Sequence, residues 1–107
     1  MIMQQNPIIP IVGMPCCEVL YTDRYPFTII GTREKKGKVI EVYVKPNDYE
    51  ILDYYGEKYE IGEITTLSEP NTYTLRRNGR WVCKGQPSDN GRALALDTHM
   101  MRIDPSF

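Results

Sequence analysis

Three cysteines and a single histidine are the side chains with the greatest capacity for metal binding or nucleophilic chemistry. Cys16 and Cys17 are adjacent, Cys83 lies far along the chain, and the histidine is His99. Adjacent residues of a strand point to opposite faces, so the cysteine pair is poorly placed to bind one zinc ion. No spacing favours a Cys–His nucleophile pair either. We therefore predict no metal, no cofactor and reduced thiols, as in an intracellular protein.

Acidic side chains offer the next candidates for chemistry. Residues 47–70 contain seven acids and one lysine, and Asp53 and Glu57 form one of several close pairs. In so acidic a segment such pairs arise by chance, and no acid–base couple stands out. The sequence also lacks the phosphate-binding, dinucleotide-binding, serine-hydrolase and metalloprotease motifs. We predict that the protein is not an enzyme.

A third group of residues is basic and aromatic, and it occupies residues 72–85, TYTLRRNGRWVCKG. The Asn78-Gly79 dipeptide lies between two strand-forming runs, which predicts a β-hairpin with a two-residue type I′ turn. That turn sets the register of the two strands. The predicted pairs are Arg77 with Arg80, Arg76 with Trp81, Leu75 with Val82, Thr74 with Cys83, and Tyr73 with Lys84.

The register decides which side chains share a face of the hairpin. Leu75 and Val82 are expected to face the core, whereas Trp81 and Arg76 form a cation–π pair on the opposite face. On this interpretation the hairpin presents a basic, aromatic binding surface. The alternative interpretation buries the indole and leaves the arginines as solvated edge charges. The candidates for the binding surface are Arg76, Arg77, Arg80, Trp81 and Lys84.

Short β-prone runs recur along the chain, separated by turn residues at intervals of roughly 8–12 residues, which is typical of a small sandwich or barrel. The predicted strands are Cys16 to Tyr21, Tyr25 to Thr32, Val39 to Val44, Tyr59 to Leu67, the two hairpin arms, Arg92 to Asp97 and His99 to Ile103, the last two being separate or one bent strand. Gly37 marks a turn and Gly62 a candidate bulge, and Pro46-Asn47-Asp48 is expected to end a strand. Residues 49–55 are open between helix and strand, and we favour the strand or an irregular segment.

The N-terminal segment is apolar but contains Pro7, Pro10 and Pro15. Three prolines rule out a regular helix or a central strand, so residues 1–15 are predicted to form an extended arm. The arm either covers its own domain or docks on a neighbouring subunit. The residues 16–107 then form a single all-β domain, a small antiparallel barrel or sandwich of about six to eight short strands. The candidate docking residues of the arm and the C-terminal tail are Ile8, Ile9, Ile11 and Phe107.

Charge is segregated along the sequence although the formal net charge is only −1. Residues 31–46 carry five cations and two acids, residues 47–70 are strongly acidic, and residues 71–87 carry four cations and no acid. Oppositely charged strands that neighbour each other in a sheet would explain this pattern, and so would head-to-tail attraction between copies. No apolar run reaches the roughly 18 residues of a membrane helix, and no signal peptide is evident. The sequence therefore predicts a soluble, cytoplasmic protein without membrane contact.

Three stretches together carry a resemblance to a known group of proteins: YTDRYPFTII, TLRRNGRWVCKG and the closing DPSF. With them the sequence resembles small, uncharacterised proteins encoded in bacteriophages and prophages, over roughly residues 13–107. The matching positions are Asp23, Arg24, Thr28, Leu75, Arg76, Asn78, Gly79, Arg80, Trp81, Asp104, Pro105 and Phe107. Cys16-Cys17 and the acidic middle segment do not belong to the shared pattern. The resemblance implies no activity, and it implies a location in a bacterial cytoplasm or a virion.

These observations favour a non-catalytic β module that binds an unknown protein partner or itself. The alternative is a small barrel that binds single-stranded nucleic acid, with Trp81 and Tyr73 for stacking and the arginines for phosphates. The expected placement of these two rings on opposite faces weakens that alternative.

Overall fold

A computed structural model describes residues 8–20, 23–53, 58–66 and 68–98. These residues form seven β-strands and no helix. The strands are β1 Pro15–Val19, β2 Arg24–Lys35, β3 Lys38–Asp53, β4 Lys58–Ile64, β5 Asn71–Leu75, β6 Trp81–Cys83 and β7 Ala93–Leu96.

Six of the seven strands close into an antiparallel barrel. The sheet order is β2-β1-β7-β6-β5-β3-β4, and β2 also pairs with β3, so the ladder returns to its starting strand. β4 is the additional strand, and β3 is its single partner among the described strands. Closure removes the unpaired edges of the six barrel strands, which otherwise invite pairing with another chain. The predicted all-β class and small antiparallel barrel are confirmed.

β3 is much longer than the sequence predicts. It continues through Pro46, which pairs with Phe27 of β2, and runs on to Asp53. The prediction that Pro46-Asn47-Asp48 ends this strand is therefore wrong, whereas the strand favoured for residues 49–55 is present as far as Asp53. The side chain of Asn47 stabilises the continuation of β3 beyond Pro46. Thr28 Oγ1 donates to Asn47 Oδ1 at 2.6 Å, and Asn47 Nδ2 donates to the Gly62 carbonyl at 3.0 Å.

Beyond this point β3 leaves the barrel and pairs with β4 alone among the described strands. We call residues 47–53 and 58–64 the β3–β4 ribbon. Its register shifts between the pairs Asn47–Ile64 and Tyr49–Ile61, which places one extra residue on β4 at Gly62 or Glu63. The bulge predicted at Gly62 fits this irregularity.

A two-residue type I′ turn does occur, but at Lys36-Gly37 rather than at Asn78-Gly79. Lys35 pairs with Lys38, and both loop residues have positive φ, +54° for Lys36 and +78° for Gly37. Type I′ geometry requires this combination, and it matches the right-handed twist of the flanking strands. The turn expected at Gly37 is therefore present.

The β5–β6 hairpin has a three-residue loop, so the register predicted for it is wrong. Arg76 N donates to the Arg80 carbonyl at 2.9 Å, and Gly79 N donates to the Arg76 carbonyl at 3.0 Å. Gly79 has φ +84° while Asn78 is not in the left-handed region. This is a four-residue turn whose last residue is a left-handed glycine, and the loop is one residue longer than that of a type I′ hairpin. The observed pairs are Tyr73–Cys83, Thr74–Val82 and Leu75–Trp81.

The shift of one residue exchanges the faces of β6. Leu75 and Trp81 now share the inward face, and Trp81 is 8% exposed within the core cluster. Val82 lies on the outward face with Thr74, yet it is fully buried because the 86–91 segment covers it. The predicted pairing of Leu75 with Val82 in the core is wrong, and so is the cation–π pair of Trp81 with Arg76.

The barrel interior holds one core formed by alternate residues of the strands. The buried cluster contains Cys16, Phe27, Ile29, Val42, Val44, Tyr73, Trp81 and Leu94. β7 confirms most of the strand predicted for residues 92–97, and it pairs with both β1 and β6. The strand predicted for residues 99–103 and the tail with Phe107 lie outside the described residues.

Candidate functional site

The described part of the chain contains a large apolar cavity at one end of the barrel. Its volume is about 850 Å³, and it opens to solvent. Four barrel strands contribute large apolar side chains to its lining, namely Val39, Leu75, Trp81, Leu94 and Leu96. All five contribute to the core or pack against it. The cavity is therefore the mouth of the barrel rather than a groove on its outer surface.

The described part of the N-terminal arm borders this mouth. Ile8, Ile9 and Pro10 line the cavity, and Pro10 is buried. Gly13 N donates to the Ile29 carbonyl at 2.8 Å, so the arm joins the barrel beside β2. An extended, proline-containing segment was predicted here, and residues 8–14 contain no helix or strand.

Four aliphatic side chains of the arm are nevertheless exposed. The exposed fractions are 50% for Ile8, 69% for Ile9, 60% for Ile11 and 63% for Val12. Together with the cavity they form an apolar patch at one end of the molecule, and such patches on soluble domains commonly mark interaction sites. We refer to residues 8–12 of the arm, together with the cavity, as the apolar end.

Cations surround the apolar end. Lys38, Arg76, Arg77 and Arg80 line the cavity together with one acid, Glu34. The β2–β3 turn at the same rim adds Lys35 and Lys36. The hairpin arginines that the sequence analysis selected thus lie at the barrel mouth, and they are joined there by lysines from a different hairpin.

Arg76 is a structural residue at this rim. Its guanidinium donates to Thr74 Oγ1 at 2.8 Å, the Gln86 carbonyl at 2.7 Å, Ser88 Oγ at 3.1 Å and the Cys83 carbonyl at 3.1 Å. These bonds hold the segment after β6 against the outward face of the hairpin. Neither sequence interpretation foresaw this role, because each left the arginines in solvent or facing a ligand.

The remaining members of the predicted binding surface have separate positions. Arg80 donates to the carbonyls of Ser88 and Asp89, and Lys84 lies 3.7 Å from the carboxylate of Glu41 on the barrel wall. Arg77 is exposed in the hairpin loop. The structure therefore brings Arg76, Arg77, Arg80 and Trp81 to one cavity, with Trp81 inside it and Lys84 away from it.

A second charged cluster on the outer wall is centred on Glu41. Arg33 Nε donates to Glu41 Oε1 at 3.0 Å, Tyr43 Oη donates to the same oxygen at 3.2 Å, and Lys84 approaches Oε2. The hydrogen bond from Arg33 is the main cause that lowers the pKa of Glu41, and Tyr43 and Lys84 act in the same direction. Because Glu41 and Tyr43 lie on β3, Arg33 on β2 and Lys84 directly after β6, this cluster links these parts of the barrel wall.

A buried polar pair spans the barrel interior. Tyr73 Oη donates to Glu18 Oε2 at 2.6 Å, and Arg92 Nη1 lies 3.8 Å from the same oxygen. Tyr73 is fully buried, and desolvation followed by the hydrogen bond to Glu18 raises the pKa of its hydroxyl strongly. The tyrosine is therefore a neutral donor at any ordinary pH, and the pair links β1 to β5 through the core.

The cysteines occupy structural positions as free thiols. Cys16 and Cys17 are buried, and Cys83 is half-buried. Burial raises the pKa of the Cys16 thiol to about 12, with a contribution from Cys17 in the same direction. Such a thiol is not ionised at neutral pH and is a poor nucleophile. Among the described residues no three His, Cys, Asp or Glu side chains are grouped as metal ligands, and His99 lies outside that part of the chain.

The β3–β4 ribbon is a surface that the sequence analysis did not select. Its exposed positions include the acids Asp48, Glu50, Asp53, Glu60 and Glu63. It also exposes three large apolar side chains, Tyr49 at 43%, Leu52 at 57% and Ile64 at 38%. Apolar residues alternate with acids across residues 48–64. This alternation is the sequence signal that indicates two exposed strands.

Comparison of the chain with protein-family models, with curated protein sequences and with solved structures finds no significant match. The fold and the site define the chain as a small closed β-barrel with an apolar, cation-rimmed mouth. None of the described segments is a helix long and apolar enough to span a bilayer.

Proposed function

We propose that the protein is a non-catalytic interaction module, associated with a bacteriophage or prophage, that binds other protein chains through its apolar end. The observation that carries the proposal is the set of four exposed aliphatic residues on the arm, beside an apolar cavity that opens into the core. Burial of apolar surface provides most of the driving force for protein association, at about 25 cal/mol per Å².

The chemistry of the other polar clusters supports an interaction role over catalysis. Glu41 accepts from Arg33 on the neighbouring strand β2, Glu18 accepts from Tyr73 across the core, and Cys16 is a buried, protonated thiol. Each of these groups stabilises the barrel, and none of them faces the cavity. The context of a phage or prophage, with action in the bacterial cytoplasm or in the virion, is carried by the sequence resemblance.

Site-specific photo-crosslinking tests this function directly. A photoreactive phenylalanine analogue replaces Val12, which is 63% exposed at the apolar end. The matched control places the same analogue at Glu69, an exposed position between β4 and β5. Both proteins are expressed in a bacterial host and irradiated in the cell. We expect covalent adducts of defined mass from position 12 and none from position 69.

The adducts must also depend on the apolar character of the arm. Ile9→Asp with Ile11→Asp introduces two charges at exposed positions and should abolish the adducts from position 12, while the urea unfolding midpoint stays unchanged. Adducts that persist in this variant, or equal yields from positions 12 and 69, would contradict the proposal. An adduct of twice the chain mass identifies self-association, and any other mass identifies a different protein partner.

The alternative, binding of single-stranded nucleic acid, receives less support from the geometry. Trp81 and Tyr73 share one face, but they are 8% and 0% exposed, so neither ring offers a face for base stacking. Arg76 and Arg80 are hydrogen-bonded to the chain itself. Salt-dependent retention of oligonucleotides in a filter-binding assay would favour this alternative over the protein-binding role.

A further inference from the structure

We propose that the partner of the apolar end is the β3–β4 ribbon of a second copy of this chain, in a head-to-tail contact. The inference rests on the proposed function and names the partner by its chemistry. Two surfaces of one molecule carry it: the cation-rimmed barrel mouth and the acidic ribbon with its exposed apolar residues.

The two surfaces lie at opposite ends of one strand. β3 begins at Lys38 on the rim of the cavity and ends at Asp53 in the ribbon, after 16 residues. At about 3.3 Å per residue, up to roughly 50 Å of strand separates them. The ribbon of one molecule is therefore held away from its own mouth by the strand that connects them, and a second molecule is needed to bring them together.

Charge complementarity favours this contact. The rim carries six cations and one acid: Lys35, Lys36, Lys38, Arg76, Arg77 and Arg80, with Glu34. The described ribbon carries five acids and one lysine: Asp48, Glu50, Asp53, Glu60 and Glu63, with Lys58. The two surfaces attract each other, whereas two rims or two ribbons repel each other. Charge therefore favours contact between the rim of one copy and the ribbon of another.

The ribbon places its most exposed apolar side chain among these acids. Leu52 lies two residues after Glu50, at a second register shift of the ribbon between Ile51 and Asp53, and Glu50 pairs directly with Glu60 on β4. Leu52 is 57% exposed. The mouth has the complementary arrangement, with an apolar centre and charged edges. In the proposed contact Leu52 enters the cavity, while Glu50 and Glu60 face Lys38 and Arg77.

The Glu50–Glu60 pair supports a role outside the single molecule. Like charges directly opposite each other in an antiparallel pair destabilise the sheet. Cations from a second copy would relieve this repulsion. Because the two contacting surfaces differ, the interface is heterologous, and repeated contacts produce a closed ring or an open filament rather than a two-fold dimer.

A charge-exchange experiment tests the contact. The ribbon variant carries Glu50→Lys and Glu60→Lys, and the rim variant carries Lys38→Glu and Arg77→Glu; all four side chains are exposed. Each variant alone sets like charges against each other at the interface. We expect each to need at least about tenfold higher concentration than wild type for half-assembly, measured by light scattering after size exclusion.

Mixing the two variants should restore assembly, because the introduced lysines of one variant face the introduced glutamates of the other, and the remaining two surfaces retain their wild-type charges. Glu69→Lys makes one charge change of the same kind outside both surfaces and should assemble as wild type does. Leu52→Asp should reduce assembly as strongly as either charge variant. Circular dichroism and urea midpoints confirm that every variant is folded.

The outcomes separate this inference from the proposed function. A wild type that assembles while the mixed variants do not would place the interface elsewhere and overturn the ribbon–mouth contact. A wild type that remains monomeric at every concentration would also overturn it. In that second case, photo-crosslinks from position 12 to a different protein would still support the proposed interaction module.

Discussion

Arg76 donates hydrogen bonds from Nε, Nη1 and Nη2 to both strands of the β5–β6 hairpin and to the segment that follows it. A guanidinium is suited to this role because it presents five donors in a fixed planar arrangement. Arg77, the next residue, is exposed in the loop. Two adjacent arginines that look equivalent in the sequence therefore differ in their contribution to stability.

This difference gives a prediction with an internal control. Arg76→Lys removes the planar fork and leaves the acceptors of the 83–88 segment without several donors, so we expect a loss of about 1–3 kcal/mol in the free energy of unfolding. Arg77→Lys should change it by less than about 0.5 kcal/mol. Urea unfolding followed by tryptophan fluorescence measures both. Equal effects of the two substitutions would contradict the assigned role of Arg76.

Glu41 gives a prediction about pH. Its pKa is lowered in the folded protein, chiefly by the hydrogen bond from Arg33, so the ionised carboxylate stabilises the fold above its unfolded pKa of about 4.3. That stability is lost as the pH falls through the folded pKa. We expect the stability difference between wild type and Glu41→Gln to shrink as the pH is lowered from 7 to 3 in urea titrations.

Arg33→Gln removes the largest cause of the lowered pKa and leaves Tyr43 and Lys84 in place. Its stability should therefore depend on pH less than that of wild type and more than that of Glu41→Gln. A wild type and a Glu41→Gln variant that differ by the same amount at every pH would show that the carboxylate titrates alike in the folded and unfolded chains.

Residue-level prediction from the sequence succeeded where the neighbours along the chain decide the outcome. Gly37 was correctly expected in a turn, because glycine tolerates the positive φ that such turns require. The inward position of Trp81 was not predicted by the favoured register, because the face of this residue depends on one extra residue in the hairpin loop. The alternative interpretation, with the indole in the core, is the one that matches the structure.

At the scale of elements, the two hairpin turns show what local sequence can decide. Asn78-Gly79 suits both a type I′ turn and a longer loop with a left-handed glycine. The longer loop also allows Asn78 Nδ2 and Arg80 Nη1 to donate to the Ser88 carbonyl, at 3.1 and 2.9 Å. That acceptor lies ten residues after Asn78 and eight after Arg80, so the turn residues alone do not reveal it.

The same element-level packing makes Gly91 sensitive to substitution. A Cβ at this position would lie 2.5 Å from the Pro87 carbonyl oxygen and 2.7 Å from Cγ1 of Val82, which is fully buried. Gly91→Ala must therefore displace backbone that covers β6, and we expect it to cost about 1–3 kcal/mol. Thermal or urea unfolding provides the measurement.

Gly62→Ala is the matched control for this substitution. A Cβ on Gly62 would meet its nearest neighbour, the Asp48 carbonyl oxygen, at 3.4 Å, which is ordinary contact. Alanine there should be neutral or slightly stabilising, because it also reduces the entropy of the unfolded chain. A Gly91→Ala protein as stable as the Gly62→Ala protein would show that the 86–91 segment is not held against Val82.

On the scale of the whole molecule, the closed barrel and the β3–β4 ribbon should differ in local stability. Each barrel strand is paired on both sides, whereas β4 has β3 as its single partner in the described part of the chain. The ribbon also exposes Tyr49, Leu52 and Ile64 rather than packing them in the core. Regions with few buried contacts open locally at a lower free energy than the global unfolding transition.

Native-state hydrogen exchange tests this difference. We expect the bonded amides of Lys58–Ile64 to exchange through local opening that is insensitive to low urea. The amides of β1, β5 and β7 should exchange through global unfolding, with a free energy that falls steeply as urea is added. Equal protection and equal urea dependence in β4 and in the barrel strands would contradict the separation of the ribbon from the barrel.

The small antiparallel barrel as a class was predictable from strand-forming runs and turn spacing, whereas the strand order and the register were not. The alternating pattern of VIEVYV is local and predicts a strand on its own. The continuation through Pro46 depends on Thr28 and on Gly62, both of which meet Asn47 only in the fold. The charge segregation was visible in the sequence, and the structure separates its basic and acidic parts along one strand.

The β1–β7 seam has a consequence for synthesis on the ribosome. Cys17 of β1 pairs with Ala95 of β7, which lies close to the other end of the described residues. In a nascent chain, the edge of β1 that pairs with β7 therefore stays unpaired until nearly all of the barrel has emerged from the exit tunnel. Contacts so distant in sequence slow folding. Because β1 is made before β7, its pairing is completed only when β7 is available, and early binding of a chaperone would protect the unpaired edge.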